Sequence, residues 1–159
     1  RKDYGIIMSL AEAENAKQGY FELYSGLITW HASAWESVRK GYVETPFGLI
    51  RPLAGLNEDA SALQRKAINT PVQGTASQIS LLGLVGVCDE IQHRKMQEVC
   101  LITDFVHDSI LGEVREDVVE EVQGIVKEKL EHPPLHLFGI ELDVPLIADI
   151  EFKHTWGDD

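Results

Sequence analysis

The chain has few cysteines and no long apolar run. Its two cysteines, Cys88 and Cys100, lack the paired spacing of zinc or redox motifs, which argues against a zinc site and a disulfide framework. We therefore expect two buried thiols in a reducing compartment. No apolar stretch approaches the ~20 residues that a membrane-spanning helix needs, and no basic-then-apolar leader opens the chain. The sequence thus predicts no membrane partner.

Basic residues are also scarce, because 14 Lys and Arg stand against 26 Asp and Glu and the net charge is -12. Tight binding to nucleic acid normally needs a cationic surface, which argues against a strong, independent DNA-binding protein. The deficit is uneven, since residues 1–75 carry eight basic and eight acidic residues and residues 76–159 carry six against eighteen. Residues 39–66 hold five basic and three acidic residues, which leaves room for a modest DNA footprint.

The order of predicted elements indicates an α+β fold, in which helices pack on a small antiparallel sheet. We predict two portions, residues 1–75 and residues 76–159. In the first portion, the Ser9–Glu12 capping box predicts a helix that runs to about Tyr24. The remaining elements are a helix over 27–40 ended by Gly41, a short hairpin around 46–48 and a short helix over 61–68. Along the first two helices, apolar residues recur at helical spacing and are expected to form core: Tyr20, Phe21, Tyr24, Leu27, Ile28 and Trp35.

A longer helix is predicted next, from Pro71 to about Gln92, with Thr70 as its cap. Gly83 and Gly86 inside it indicate either the close approach of another element or local weak spots. The elements that follow are a strand pair, a helix that begins at 116–117 and ends at 132–134, and a final strand over 140–152.

The strand pair surrounds the segment Val106-His107-Asp108-Ser109-Ile110. Strands that close and reopen around a His-Asp pair place both side chains at the end of a hairpin. A carboxylate held there by a stiff ladder is a suitable ligand for magnesium, which takes one or two fixed carboxylates together with substrate phosphates. The alternative is that Asp108 is an ordinary turn residue, since Asp favours turns for backbone reasons.

A second informative segment runs from Arg65 to Ser77. Asn69 lies just before the predicted Thr70 cap, and Gln73 lies in the first turn after it. Asn, Gln and Arg are side chains that reach base edges and sugar oxygens of nucleic acid. For any one of these residues alone, capping and solvation are the better explanation.

Together these segments resemble the C-terminal part of the DNA polymerase I family, the A family of DNA polymerases. The ordered matches span nearly the whole chain: Tyr20-Phe21-x-x-Tyr24, Gly41-Tyr42-Val43-Glu44-Thr45, the run from Ala67 to Ala76, Val106-His107-Asp108 about thirty residues later, and Trp156-Gly157. The resemblance implies a right-hand polymerase fold, with residues 1–75 leading from fingers to palm and residues 76–159 forming part of the palm.

The resemblance also implies nucleotidyl transfer, in which deoxynucleoside triphosphates extend a primer–template DNA at a two-magnesium site. It assigns Asp108 as a metal ligand and His107 as a contact of the primer terminus. Arg65, Asn69 and Gln73 are assigned to the duplex near the active site, and Arg51 is a further candidate for a backbone phosphate. The implied location is the cytoplasm of a bacterial cell or a phage-infected host.

The chain departs from the family pattern in two ways. Ser109 follows the motif's aspartate where many members have an acidic residue, and Asp104 is a remote candidate for a replacement ligand. The family's first catalytic aspartate has no match here, since Lys2 to Ile6 resembles the segment just after the nucleotide-gripping helix. We therefore expect the second carboxylate to come from an upstream polymerase portion, without which this chain is inactive. The chain would then be either a fragment or a split subunit.

Two other classes of protein remain as alternatives. A non-catalytic DNA-binding or interaction module would keep the fold and lose the chemistry. A His-Asp metal-dependent phosphohydrolase needs several His and Asp residues gathered from different helices, and the other histidines follow no such pattern: His31, His93, His132, His136 and His154.

Overall fold

The computed structural model describes residues 7–155, so the matches at Lys2 to Ile6 and at Trp156-Gly157 lie outside the described residues. The helices are α1 (Leu10–Leu23), α2 (Gly26–Lys40), α3 (Ala60–His93) and α4 (Val119–Glu131). The strands are β1 (Tyr42–Glu44), β2 (Ile50–Pro52), β3 (Cys100–Val106) and β4 (Ser109–Val114). They form two antiparallel pairs, β1 with β2 and β3 with β4. The predicted α+β class is therefore confirmed.

The chain divides into two compact units. Unit 1 holds the chain up to Glu44 together with Ile50–Pro71, and unit 2 holds Thr45–Leu49 and the chain from Val72 onward. The core of unit 1 is small and consists of Ala34, Val43, Leu53 and Ala67. The core of unit 2 is larger and consists of Val87, Ile91, Met96, Cys100, Val122 and Ile125. Burial of these side chains supplies the main force that holds each unit together.

In unit 1 the predicted boundaries of α1 and α2 are confirmed. The Ser9 hydroxyl accepts the Glu12 N–H and the Glu12 carboxylate accepts the Ser9 N–H, which completes the capping box of α1. Gly41 ends α2 with a φ of 81°, a left-handed conformation that glycine adopts without strain.

The prediction of an aromatic and apolar core on α1 and α2 is wrong, because none of its six residues is buried and none belongs to either core. Tyr20, Tyr24 and Ile28 are 51%, 52% and 55% exposed, and no residue of α1 is buried. The rings contact one another instead, with centroids 5.1 Å apart for Tyr20 and Tyr24. Helical spacing placed these side chains on one face, but spacing does not supply a surface against which that face packs.

The predicted break at Thr70 is also wrong, because α3 continues through Pro71. The Thr70 hydroxyl donates to the Lys66 carbonyl one turn earlier (2.7 Å), so it acts as a side chain inside a helix and not as a cap. Pro71 has no N–H to offer the Ala67 carbonyl. Burial of Ala67 in the core of unit 1 stabilises the helical path at this point.

In unit 2, α4 packs closely on α3 at the two glycines noted in the sequence. A Cβ placed on Gly83 would lie 2.7 Å from Leu130 Cδ2, and one on Gly86 would lie 3.5 Å from Lys129 Cβ. The close approach of another element is therefore the correct interpretation of these glycines. α4 buries Val122 and Ile125, which lie three residues apart and therefore on the same side of the helix.

Two further expectations for unit 2 are wrong. Ile140 to Phe152 is not a strand, and the Ala148 N–H donates to the Glu131 carboxylate (3.1 Å) where a strand would need a ladder partner. Cys100 is buried as expected, and its burial raises the pKa of the thiol, but Cys88 is exposed on α3. Over residues 7–155, no helix combines the length and the apolar character needed to cross a membrane.

Candidate functional site

The β3–β4 hairpin positions His107 and Asp108, as the sequence predicted. The ladder runs from Cys100 opposite Val114 to Val106 opposite Ser109, so only His107 and Asp108 form the turn. His107 has a φ of 59°, and a positive φ at the first central residue is a feature of type II′ hairpin turns. Histidine tolerates this left-handed conformation better than branched residues do. Both side chains of the turn are exposed.

The strands below the turn are tightly fitted. A Cβ on Gly112 would lie 2.9 Å from the Leu101 carbonyl oxygen, so glycine is needed for this pairing. The register shifts between Ile102 and Asp104, which marks a bulge in β3. The Asp104 carboxylate accepts the N–H of Phe105 (2.7 Å), so its orientation is set by the local backbone.

The donor chemistry of the turn fits a magnesium ligand. Asp108 offers an exposed carboxylate from a short turn, and magnesium takes one or two carboxylates with the remaining positions filled by water and substrate phosphates. Among residues 7–155, no group of three or more His, Cys, Asp or Glu side chains is arranged to hold a metal ion.

Three of the predicted DNA-contact residues lie on α3. Arg65, Asn69 and Gln73 are exposed and follow one another at intervals of four residues. Within unit 1, this spacing places the side chains of Arg65 and Asn69 on one face of α3, while Gln73 belongs to unit 2. The Arg65 guanidinium donates to the Ser61 hydroxyl one turn earlier, which orients its side chain along the helix.

Arg51 lies on β2, where its guanidinium donates to the Thr70 hydroxyl (3.1 Å). Thr70 is itself buried and donates to the Lys66 carbonyl. One edge of the guanidinium is therefore fixed to α3, which orients the Arg51 side chain.

A further constellation was missed by sequence reasoning. The Thr45 hydroxyl donates to the Gln78 side-chain oxygen (2.7 Å) and accepts the Leu49 N–H (3.2 Å). A Cβ on Gly74 would lie 2.8 Å from the Thr45 methyl group. No periodicity links Thr45 with residues about thirty positions later, so only the folded chain reveals the contact.

Comparisons with known proteins show which family the chain resembles. The model of the family described as DNA polymerase family A matches residues 3–158. DNA polymerase I of Lactococcus lactis subsp. cremoris is 29% identical over 163 residues, which cover 97% of this chain and 18% of that protein. The thermostable DNA polymerase I of Thermus filiformis is 32% identical over 154 residues, which cover 91% of this chain and 17% of that protein. The chain thus spans less than a fifth of the length of these relatives.

A solved structure shares the fold. It is the POL domain of Pol1 from M. smegmatis in complex with DNA primer-template and dNTP, with a TM-score of 0.70 and 28% identity. The likeness covers 87% of this chain and 24% of that one. It confirms that the helices and the small antiparallel sheets belong to a right-hand polymerase fold. From its fold and from the family match along nearly its whole length, the chain belongs to family A of the DNA polymerases.

Proposed function

We propose that this chain is the C-terminal portion of a template-dependent DNA polymerase and contributes one carboxylate, that of Asp108, to nucleotidyl transfer. The observation that carries the proposal is the exposed Asp108 carboxylate on the two-residue turn of the β3–β4 hairpin. A short turn on a paired ladder limits the motion of the side chain, as a catalytic ligand requires. Membership of family A supports the reaction class.

Asp108 would hold magnesium together with a second carboxylate from outside this chain and the phosphates of a deoxynucleoside triphosphate. Magnesium, when bound, stabilises charge on the attacking and leaving oxygens of phosphoryl transfer. His107 precedes Asp108 on the same turn, so its imidazole is available to contact the primer terminus.

The chain also carries residues suited to the primer–template duplex. Asn69 and Gln73 present exposed side-chain amides, which are suited to the sequence-independent acceptors of the minor groove. Arg65 on α3 and Arg51 on β2 supply charge for backbone phosphates. Contacts of this kind position a duplex without selecting its sequence.

The proposed partner is an upstream polymerase portion that supplies the other carboxylate. The β3–β4 sheet has only two strands within the described part of the chain, and Leu101 and Val106 on β3 are 57% and 44% exposed. Open sheet edges with apolar side chains favour the addition of another strand. We expect the chain to be inactive without this partner, and to act in the cytoplasm of a bacterial cell or a phage-infected host.

Primer extension tests the proposal. The chain is assayed with labelled primer–template DNA, deoxynucleoside triphosphates and Mg²⁺, alone and mixed with the upstream portion of a family A polymerase. We expect extension only in the mixture and a loss of about 10²-fold or more in Asp108→Asn, because a misplaced or missing metal ligand is costly in rate. Asp104→Asn, on the same hairpin, is the matched control and should retain activity within about threefold.

Two outcomes would contradict the proposal. Extension by this chain alone would mean that it holds a second carboxylate, with Asp104 the first candidate. Association without extension in any mixture would instead identify a non-catalytic DNA-binding or interaction module that keeps the fold. In that case Asp108→Asn should leave Mg²⁺ affinity unchanged, which isothermal titration would show.

A further inference from the structure

The loop between β1 and β2 is fastened to α3 within unit 2. Thr45 opens this loop, and its side chain is polar but only 3% exposed. Its hydroxyl accepts the Leu49 N–H and donates to the Gln78 oxygen, so both functions of the group are used. Removal of the Thr45 hydroxyl would leave the Gln78 oxygen without this donor, which costs free energy when the acceptor is shielded from water.

The loop and α3 also fit closely in shape. Gly74 on α3 faces the Thr45 methyl group at a distance that leaves no room for a Cβ, which would approach it to 2.8 Å. In the middle of the loop, the Phe47 ring meets the Phe138 ring edge-on, with their centroids 5.1 Å apart. The loop Thr45–Leu49 is therefore held by α3 on one side and by the 3₁₀ turn Leu135–Phe138 on the other.

The fastened stretch of α3 includes the candidate DNA contact Gln73. Gln73 immediately precedes Gly74, and its own side chain is exposed. Just before it, Pro71 leaves the Ala67 carbonyl without the usual N–H donor of the helix ladder, which makes this turn of α3 weaker than a regular one. A contact that holds Gly74 and Gln78 fixes the helix on the other side of Gln73, and a side chain that reads DNA gains affinity when its position is set in advance.

We infer that Thr45 is a positioning residue, which holds Gln73 for contact with primer–template DNA through its fit to Gly74 and its hydrogen bond to Gln78. The inference rests on the proposed DNA contact of Gln73. Thr45 itself faces α3 and does not need to touch DNA.

A double-mutant cycle on DNA affinity tests the inference. A fluorescein-labelled primer–template is titrated at low salt with the full chain and with Thr45→Val, Gln73→Ala and the double variant. We expect a loss of about tenfold for Gln73→Ala and about fivefold for Thr45→Val, with the double variant no weaker than Gln73→Ala. Thr45→Ser keeps the hydroxyl and should restore most of the affinity lost in Thr45→Val. Equal losses for Thr45→Val in both backgrounds would overturn the inference.

The close fit between Thr45 and Gly74 is tested separately. Gly74→Ala should weaken DNA binding about fivefold, because the new methyl group displaces Thr45. Combining it with Thr45→Ser removes the opposing methyl group and should restore affinity to within about twofold. Failure of this rescue, with the double variant folded by circular dichroism, would overturn the inference even if Thr45→Val does not fold. If Gln73→Ala alone changes nothing, the DNA role of Gln73 is itself wrong, and the positioning role falls with it.

Discussion

His107 and Asp108 show how single residues make the proposed site. The left-handed φ of His107 allows two strands to be joined by two residues, and this short connection fixes the Asp108 carboxylate at the end of the ladder. Ser109, which replaces an acidic residue of many family members, is the first residue of β4 and pairs with Val106.

Gly83 provides a stability prediction at the same scale. We expect Gly83→Ala to lower the free energy of unfolding by about 1–3 kcal/mol, because a buried methyl group would collide with Leu130 and separate α3 from α4. Its Cβ would lie 2.7 Å from Leu130 Cδ2 and 3.2 Å from Leu130 Cα, and the second of these atoms is backbone that cannot easily move. Urea denaturation measures the effect.

Gly124→Ala is the matched control. A Cβ there meets nothing within 4 Å, so the same substitution in α4 should raise stability by up to about 1 kcal/mol through helix propensity. If both variants were stabilised alike, the close contact between α3 and α4 would be refuted.

At the scale of elements, ion pairs reinforce the packing of α3 on α4. Arg94, in the turn directly after α3, donates to Glu90 (2.7 Å) on α3 and to Glu121 (3.0 Å) on α4, and the Lys129 ammonium lies 3.5 Å from Glu90. The bond from Arg94 and the charge of Lys129 lower the pKa of Glu90 below the ordinary carboxyl value. Exposed pairs of this kind contribute little singly, but this group of four joins two helices.

This shift predicts a pH dependence. A carboxyl group whose pKa is lowered in the folded chain contributes stability above its unfolded pKa and loses that contribution as the pH falls through the folded value. Glu90→Gln should therefore lower the thermal midpoint by a few degrees at pH 7 and by less at pH 3. Thermal unfolding by circular dichroism at both values is the measurement, and Glu120→Gln on the exposed face of α4 is the control. A deficit in Glu90→Gln that persists undiminished at pH 3 would show that the ion pairs are not its cause.

At the scale of the whole molecule, net charge limits the DNA affinity that we expect of the chain. The net charge of -12 comes from residues 76–159. The candidate contacts Arg51 and Arg65 lie in residues 1–75, where basic and acidic residues are equal in number. Because phosphate contacts release counterions, affinity should fall only modestly with salt, with a slope set by a few cationic residues.

A salt titration separates the roles of individual contacts. Arg51→Ala should weaken binding and reduce the slope of log affinity against log salt by about 1, since it removes one phosphate contact. Asn69→Ala should weaken binding without changing the slope, because an amide releases no counterion. Fluorescence anisotropy at several salt concentrations gives both quantities. An unchanged slope in Arg51→Ala would remove Arg51 from the interface.

Local signals in the sequence predicted those elements whose boundaries depend on local chemistry. The capping box fixed the start of α1, Gly41 fixed the end of α2, and the run around His107 and Asp108 predicted a hairpin with both residues at its end. These features depend on residues that lie within a few positions of one another, so their energies can be read from neighbours. The ordered motifs likewise identified the family, which the comparisons confirm.

Tertiary structure decided what depends on partners distant in sequence. Thr70 and Pro71 favour a helix start, yet α3 runs unbroken through them, next to the buried Ala67. Residues Ile140 to Phe152 have strand-like alternation, but in the described part of the chain they pair with no strand. Spacing put Tyr20 and Tyr24 on one face but could not say whether anything covers it. The bond between Thr45 and Gln78 follows from the fold alone, because a side chain's partner across 33 positions is set by how the chain packs and not by its neighbours in sequence.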